Sequence, residues 1–257
     1  MTMSMAEIKK NLESLRLRGM FATLESRTIQ ANQGEQCFLE ILSCLIADEL
    51  DFRHSRLIDR RFQASGLNER KIMSDFDWSF NPKLPKQEIY EIVSTKFIAC
   101  GEDALLIGSP GTGKSHIAKA TGHAATQACY KVIYREAHTF FEDLFEATQI
   151  GTKKKIRKQF IDSDLLIIDD LFLRKKLPED AADDLLDIIL ERYSRKKSTM
   201  ITSNRPIEDW GRLLKDNASS SAILDRLLHR GHLLQFEGKS YRLKEASKRL
   251  ATKKQKK

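Results

Sequence analysis

The chain has 257 residues, of which 41% are hydrophobic and 31% charged, and its formal net charge is +8. That length and apolar content suit one α/β domain with a core of its own and a smaller attachment. No window approaches the ~18 apolar residues of a membrane span, the start MTMSMAEIKKN lacks a signal-type apolar run, and Cys37, Cys44, Cys100 and Cys129 have no metal-site or CxxC spacing. Membrane, disulfide-scaffold and zinc-module classes are therefore set aside. The expectation is a cytoplasmic protein whose cysteines behave as small buried apolar residues.

In chain order, residues 1–70 read as helical. Ile8, Leu12, Leu15 and Leu17 recur at helical steps until Gly19 interrupts them. A second helix places Phe38, Ile41, Leu42, Leu45 and Ile46 on one wide apolar stripe, and its far end carries Arg53, Arg56, Arg60 and Arg61 on a shared face. Those arginines suit either a solvated surface or a phosphate backbone. Residues 71–88 hold prolines, acids and aromatics in a short span and read as an ordered linker. From Ile89 strands and helices alternate. IYEIVSTKFI is helical, ALLIG a strand, 115–128 a helix with a small-residue face, KVIYRE a strand and HTFFEDLFEATQIG a helix. The basic run TKKKIRK precedes the strand LLIIDD. A helix with Pro178 in its first turn, and then the strand TMITSN, follow. This pattern predicts an α/β fold with a parallel sheet flanked by helices, joined to a small N-terminal helical domain. The last 19 residues carry nine Lys/Arg and one Glu. They hold the whole net charge and read either as a solvated, partly disordered end or as a phosphate-seeking tail.

The chemistry concentrates at three strand ends. GSPGTGKS fits G-x-x-x-x-G-K-[ST], with a strand before it and a helix after it. Gly108, Gly111 and Gly113 let the backbone wrap an anion, and Ser109, Pro110 and Thr112 complete the loop. Lys114 supplies charge to the β and γ phosphates, and the Ser115 hydroxyl suits Mg²⁺. LLIIDD delivers Asp169, a Mg²⁺ partner, and Asp170, placed to orient or deprotonate water, to the same crevice. Asn204 ends a further strand and can hold the water or the γ-phosphate. Arg226 and Arg230 lie four apart on an apolar helix. An arginine there suits the γ-phosphate of a neighbouring subunit, so the active unit would be an oligomer. Arg242 suits the nucleotide or the surface equally.

These parts in this order resemble the AAA+ ATPases of the initiator and helicase-loader clade. LRLRGMFATLESR, the arginine-bearing helix, DFDW and LLIIDDL resemble the IstB-type transposition helper ATPases, relatives of DnaC-type loaders. The resemblance implies a phosphate-loop role for Lys114 and Ser115, an acidic pair in Asp169 and Asp170, a polar sensor in Asn204 and an arginine finger in Arg226. Where the clade pattern has Leu-Gly after the acids, this chain has Leu171-Phe172, a bulky residue beside the site. The resemblance further implies ATP and Mg²⁺ as cofactors, and duplex DNA, a cognate transposase and further copies of the chain, in a ring or helix, as partners. It places the run Lys153, Lys154, Lys155, Arg157 and Lys158 at a DNA channel. The implied layout is 1–70 for DNA or partner contact, 71–88 linker, 89–245 ATPase and 246–257 basic tail. Three other readings stand beside it: a helicase loader that prefers single strands, a small-metabolite kinase, and a nucleotide-gated DNA binder that hardly hydrolyses ATP.

Overall fold

The computed structural model describes residues 3–34, 37–173 and 177–254. The chain forms two compact units, Met1–Arg60 and Arg61–Lys257, divided inside one long helix.

The first unit holds α1 (Met5–Ser14), α2 (Arg18–Gln33) and most of α3 (Phe38–Ser65). A capping box starts α1: Glu7 N–H donates to Ser4 Oγ at 3.3 Å, and Ser4 N–H donates to Glu7 Oε2 at 2.8 Å. The interruption expected at Gly19 falls earlier, at Arg16 with its φ of 59°. Gly19 lies inside α2, where its missing side chain lets α2 touch α3. A Cβ there would sit 2.5 Å from the Asp48 carbonyl oxygen, and the Gly19 N–H donates to Glu49 Oε2 at 2.6 Å. Arg27 fixes the same helix pair through a bidentate contact with Asp48 at 2.8 and 2.9 Å. Phe38, Leu42 and Ile46 of the apolar stripe are exposed.

The second unit runs through α4 (Lys86–Val93), α5 (Lys96–Cys100), β1 (Asp103–Gly108), α6 (Lys114–Gln127), β2 (Val132–Glu136), α7 (Ala137–Gln149), α8 (Lys153–Asp162), β3 (Leu165–Leu171), α9 (Ala181–Ser194), β4 (Ser198–Ser203), α10 (Trp210–Leu214), α11 (Asn217–His229), β5 (Gly231–Phe236) and α12 (Tyr241–Lys254). The five strands are parallel in the order β2-β3-β4-β1-β5. Period-two side chains serve both faces, which is why these strands read as unbroken apolar runs. Leu105, Leu166 and Ile168 join Phe140, Leu185 and Trp210 on one face. Leu106, Leu165 and Ile167 join Ile89, Ile117 and Ala125 on the other.

Two expectations need correction, and two elements add to the sequence reading. Cys37 and Cys100 are exposed and Cys44 and Cys129 half-buried, because they fall at helix ends, on an open helix face and in a turn rather than in the sheet core. Pro178 precedes α9 rather than entering it, and its carbonyl accepts from Ala181 N–H at 3.2 Å. The edge strand β5 escapes a pattern search because only Leu234 and Phe236 of its residues are buried. The basic end is helical as far as Lys254: Ser240 caps its start, and Glu245 pairs with Arg249 one turn on. Residues 255–257 of that end lie outside the described residues.

A buried Arg192 ties the sheet to α8. Its guanidinium donates to the carbonyls of Ile161 at 3.2 Å and Ser163 at 2.9 Å, to Thr199 Oγ1 at 3.0 Å, and to the Phe160 and Ser198 carbonyls. Asp103 accepts from Thr199 N–H at 2.6 Å beside it. Burial pushes the Asp103 carboxyl up to about 7, against the pull of that N–H and of Arg192.

Candidate functional site

The loop 108–113 leaves β1 and enters α6 through three left-handed glycines, at φ 146°, 78° and 112° for Gly108, Gly111 and Gly113. Packing as well as φ demands glycine. A Cβ on Gly108 would meet the Phe236 carbonyl oxygen at 2.0 Å, and one on Gly113 would meet the Phe76 ring at 2.6 Å. Lys114 is buried and folded back on the loop, its Nζ donating to the carbonyls of Gly108 at 2.7 Å and Ser109 at 2.9 Å. Burial pushes its ammonium down, against the charges of Asp170 and Asp169. The cavity beside it, ≈ 170 Å³, is lined among others by Pro110, Ser115, Asp170, Asn204 and Arg242. This brings together most of the nucleotide residues read from the sequence.

The acidic pair splits by environment. Asp169 is buried, and each of its oxygens accepts one bond: Tyr134 Oη donates to Oδ2 at 2.7 Å and Thr202 Oγ1 to Oδ1 at 2.5 Å. Thr202 Oγ1 in turn accepts from Asp170 N–H at 2.8 Å. Asp170 turns into the cavity at φ 56°, and the β3–β4 register shifts between Ile168 and Leu171. This bulge sends consecutive carboxylates to different places. Burial and the Asp169 charge push the Asp170 carboxyl up, against the pull of Lys114 and Arg242. Phe172 sits at φ 67°, a conformation natural to glycine. It is held there by burial and an edge-to-face contact with Trp210 at 5.1 Å.

Asn204 follows β4 and its side-chain oxygen is buried with no hydrogen-bond partner, a group built for a ligand. Arg242, on the first turn of α12, lines the cavity because Tyr241 N–H donates to the Gly111 carbonyl at 2.9 Å. Arg226 and Arg230 are not among the lining residues; both lie against Tyr193 of α9.

Three features escape sequence reasoning. Thr202 and Tyr134 read as ordinary strand residues, and only the fold shows them clasping Asp169. A second small cavity opens against Thr112 and Gly113, walled by Phe76, Phe80 and Tyr241. Its sequence signal is the aromatic FDWSF of the linker. In the first unit, Arg16 of the α1–α2 turn and Arg18 at the start of α2 join Arg53, Arg56 and Arg60 around one groove that holds two glutamates, Glu13 and Glu49. Arg61 belongs to the second unit. On α8, Lys153 and Arg157 are paired with Asp184 at 2.8 Å and Asp187 at 2.9 Å, whereas Lys154, Lys155 and Lys158 are exposed.

A parallel sheet with a glycine loop at one strand end and an acidic strand two places away defines a P-loop ATPase of the AAA+ type. The comparisons agree and go further. The sequence profile of the IstB-like ATP binding proteins matches residues 10–249. An insertion sequence IS21 ATP-binding protein of Pseudomonas aeruginosa is 31% identical over 244 residues, 95% of this chain and 91% of its own length. One from insertion sequence IS5376 of Geobacillus stearothermophilus is 34% identical over 85% of this chain and 86% of its own. The chain belongs to the IstB-like ATP binding protein family. Among solved structures, AMPPCP-bound DnaA from Aquifex aeolicus superposes with a TM-score of 0.55 at 25% identity, over 67% of this chain and 51% of that one. The DnaC helicase loader shares the fold, with a TM-score of 0.52 at 23% identity, over 69% of this chain and 99% of that one. The protein binds ATP and is an ATPase. Among the described residues no helix is long and apolar enough to cross a membrane.

Proposed function

We propose that this ATPase is the helper of a DNA transposase: it assembles on duplex DNA with ATP, and hydrolysis releases the assembly. The observation that carries the reading is a cavity that gathers Lys114, Ser115, Asp170, Asn204 and Arg242, while Arg226 is not among the described residues that line it. Arg226 of the same chain lies on Tyr193 and does not line the cavity, so a neighbouring copy would bring its own Arg226. The relatives are insertion-sequence proteins, which supports a transposase as partner.

In this reading Lys114 leaves the Gly108 and Ser109 carbonyls for the β and γ phosphates, and the loop amides hold the chain of phosphates. The purine would lie in the aromatic cavity of Phe76, Phe80 and Tyr241. Asp170, with its carboxyl pushed up, orients the water and takes its proton, and Asn204 holds that water or the γ-phosphate. Arg242 adds charge from α12. For Mg²⁺ the Ser115 hydroxyl lines the cavity, and the buried Asp169 carboxylate, which is not among the lining residues but keeps lone pairs beyond its bonds to Tyr134 and Thr202, would hold the ion through a water. Bound there, it would neutralise charge on the phosphate oxygens.

For DNA, the groove of Arg53, Arg56 and Arg60 with Arg16 and Arg18, and the exposed Lys154, Lys155 and Lys158, are the contacts we assign. Three lysines crowd the N-terminus of α8, where the helix dipole opposes them. A phosphate backbone would offset that cost. Arg61, Lys153 and Arg157 would add further positive charge. The layout follows: a DNA-contacting helical part to about residue 70, the linker 71–88, the ATPase 89–245 and a basic end.

The test is ATPase rate against protein concentration, with no DNA, single strands or duplex. The reading expects a rate that rises with concentration and most with duplex. A preference for single strands would indicate a helicase loader, and indifference to DNA a small-molecule kinase.

A further inference from the structure

Arg226 lies in the last turn of α11 and Arg230 is its C-cap residue four further on, and like charges that close repel. Yet both guanidiniums gather at one ring. Arg226 Cζ is 5.5 Å and Arg230 Cζ 4.5 Å from the centre of Tyr193, near the end of α9. The phenol is itself fixed: Tyr193 Oη lies 3.1 Å from His229 Nδ1, on the same turn of α11. Asp225 pairs with the Arg226 guanidinium. Tyr193 is half-buried, and so are both arginines, so the ring is neither a core residue nor a free one. A π face attracts cations, more strongly as water is excluded, and can hold two guanidiniums that would otherwise splay.

We infer that Tyr193 is the positioning residue of the arginine finger: it presents Arg226 towards a neighbouring copy's nucleotide, with Arg230 as the second cation on the same ring. This rests on the trans role proposed for Arg226. Tyr193 touches no nucleotide in its own chain. Its effect is to fix the direction of a long side chain before assembly, which lowers the ordering cost when the two copies meet.

Mixed assemblies test this, because each subunit plays two separable roles. A Lys114→Ala subunit gives a finger and has a disabled site; an Arg226→Ala subunit has a working site and gives no finger. Mixing the two is expected to restore hydrolysis. Adding Tyr193→Leu to the finger donor (Lys114→Ala) is expected to lower the restored rate about tenfold, as two partly exposed cation–π contacts allow. Adding it to the finger acceptor (Arg226→Ala) is expected to leave the restored rate unchanged. Tyr193→Phe in the donor keeps the π face and is expected to restore as well as the parent donor. Equal restoration by the Tyr193→Leu donor overturns the inference. Equal loss in both roles also overturns it, by making Tyr193 a packing residue. No restoration in the parent pair removes the trans role of Arg226 itself, and the inference with it.

Discussion

Thr202→Val tests whether the acidic strand is held from the neighbouring strand. Thr202 is fully buried, and its hydroxyl both donates to Asp169 at 2.5 Å and serves the Asp170 N–H at 2.8 Å. Valine keeps the shape and removes both bonds. A hydrogen bond to a charged acceptor is worth about 1.5–3 kcal/mol, and a buried N–H left unpaired costs about 1–3 kcal/mol. The two losses overlap, since the bonds share one oxygen, so a destabilisation of about 3 kcal/mol is expected. For a unit of this size that lowers Tm by about 6–12 °C. Hydrolysis should fall more than ATP affinity, because Asp170 loses the anchor of its strained backbone while the phosphate loop is untouched. The assays are thermal melting, nucleotide titration and steady-state turnover of Thr202→Val beside Thr202→Ser. Serine keeps the hydroxyl and should recover most of the loss. A valine variant that melts and turns over like the parent would refute the clasp.

Asp103→Asn should remove one pH dependence. The folded carboxyl sits at about 7 and an unfolded one at about 4, so the folded state holds the extra proton between those values and loses stability as pH rises through them. The shift amounts to roughly 4 kcal/mol, so urea melts at pH 4.5 and 7.5 should show the variant gaining on the parent by a few kcal/mol; a constant difference would count against it. Gly19→Ala should cost about 1–3 kcal/mol in the first unit by forcing α2 off α3, read as faster hydrogen exchange in α1 and α2 of the full chain. Arg53, Arg56 and Arg60 replaced together by alanine should weaken duplex binding and lower the slope of log affinity against log salt by about 2.7, that is ~0.9 for each phosphate no longer neutralised. An unchanged slope would remove that groove from the DNA interface.

The legible parts of this chain were those with short-range signatures. The loop declares itself because three glycines and a lysine must sit at fixed offsets, and β3 declares itself because a doubly covered strand is apolar at every step. Long-range partners leave no such mark. Thr202 clasps Asp169 from 33 residues away, and any threonine in a strand reads the same. Gly19 misleads for a related reason: a glycine in a helical pattern signals a break, whereas here it signals a close neighbour visible only once α3 lies against α2. The basic run on α8 divides into paired and exposed charges according to where α9 packs, which spacing within α8 cannot disclose.

Consecutive residues of α9 connect these observations. Arg192 points inward and holds the end of α8 and the start of β4 with one buried guanidinium. Tyr193 points outward and seats Arg226 of α11 and its C-cap Arg230. Strand β4, held at its start by Arg192, brings Thr202 to the acidic pair, and Asn204 follows it into the wall of the cavity. A shift of α8 would strand a buried charge unless β4 and α9 moved with it, because Arg192 has no water to turn to. The exposed lysines of α8, the sensor end of β4 and the arginine seat on α9 therefore ride on one rigid frame. In the assembly we propose, whatever grips α8 would bear on the cavity of its own chain through β4 and on that of the next copy through Tyr193. Lys114 is tied instead to the Gly108 and Ser109 carbonyls of its own loop.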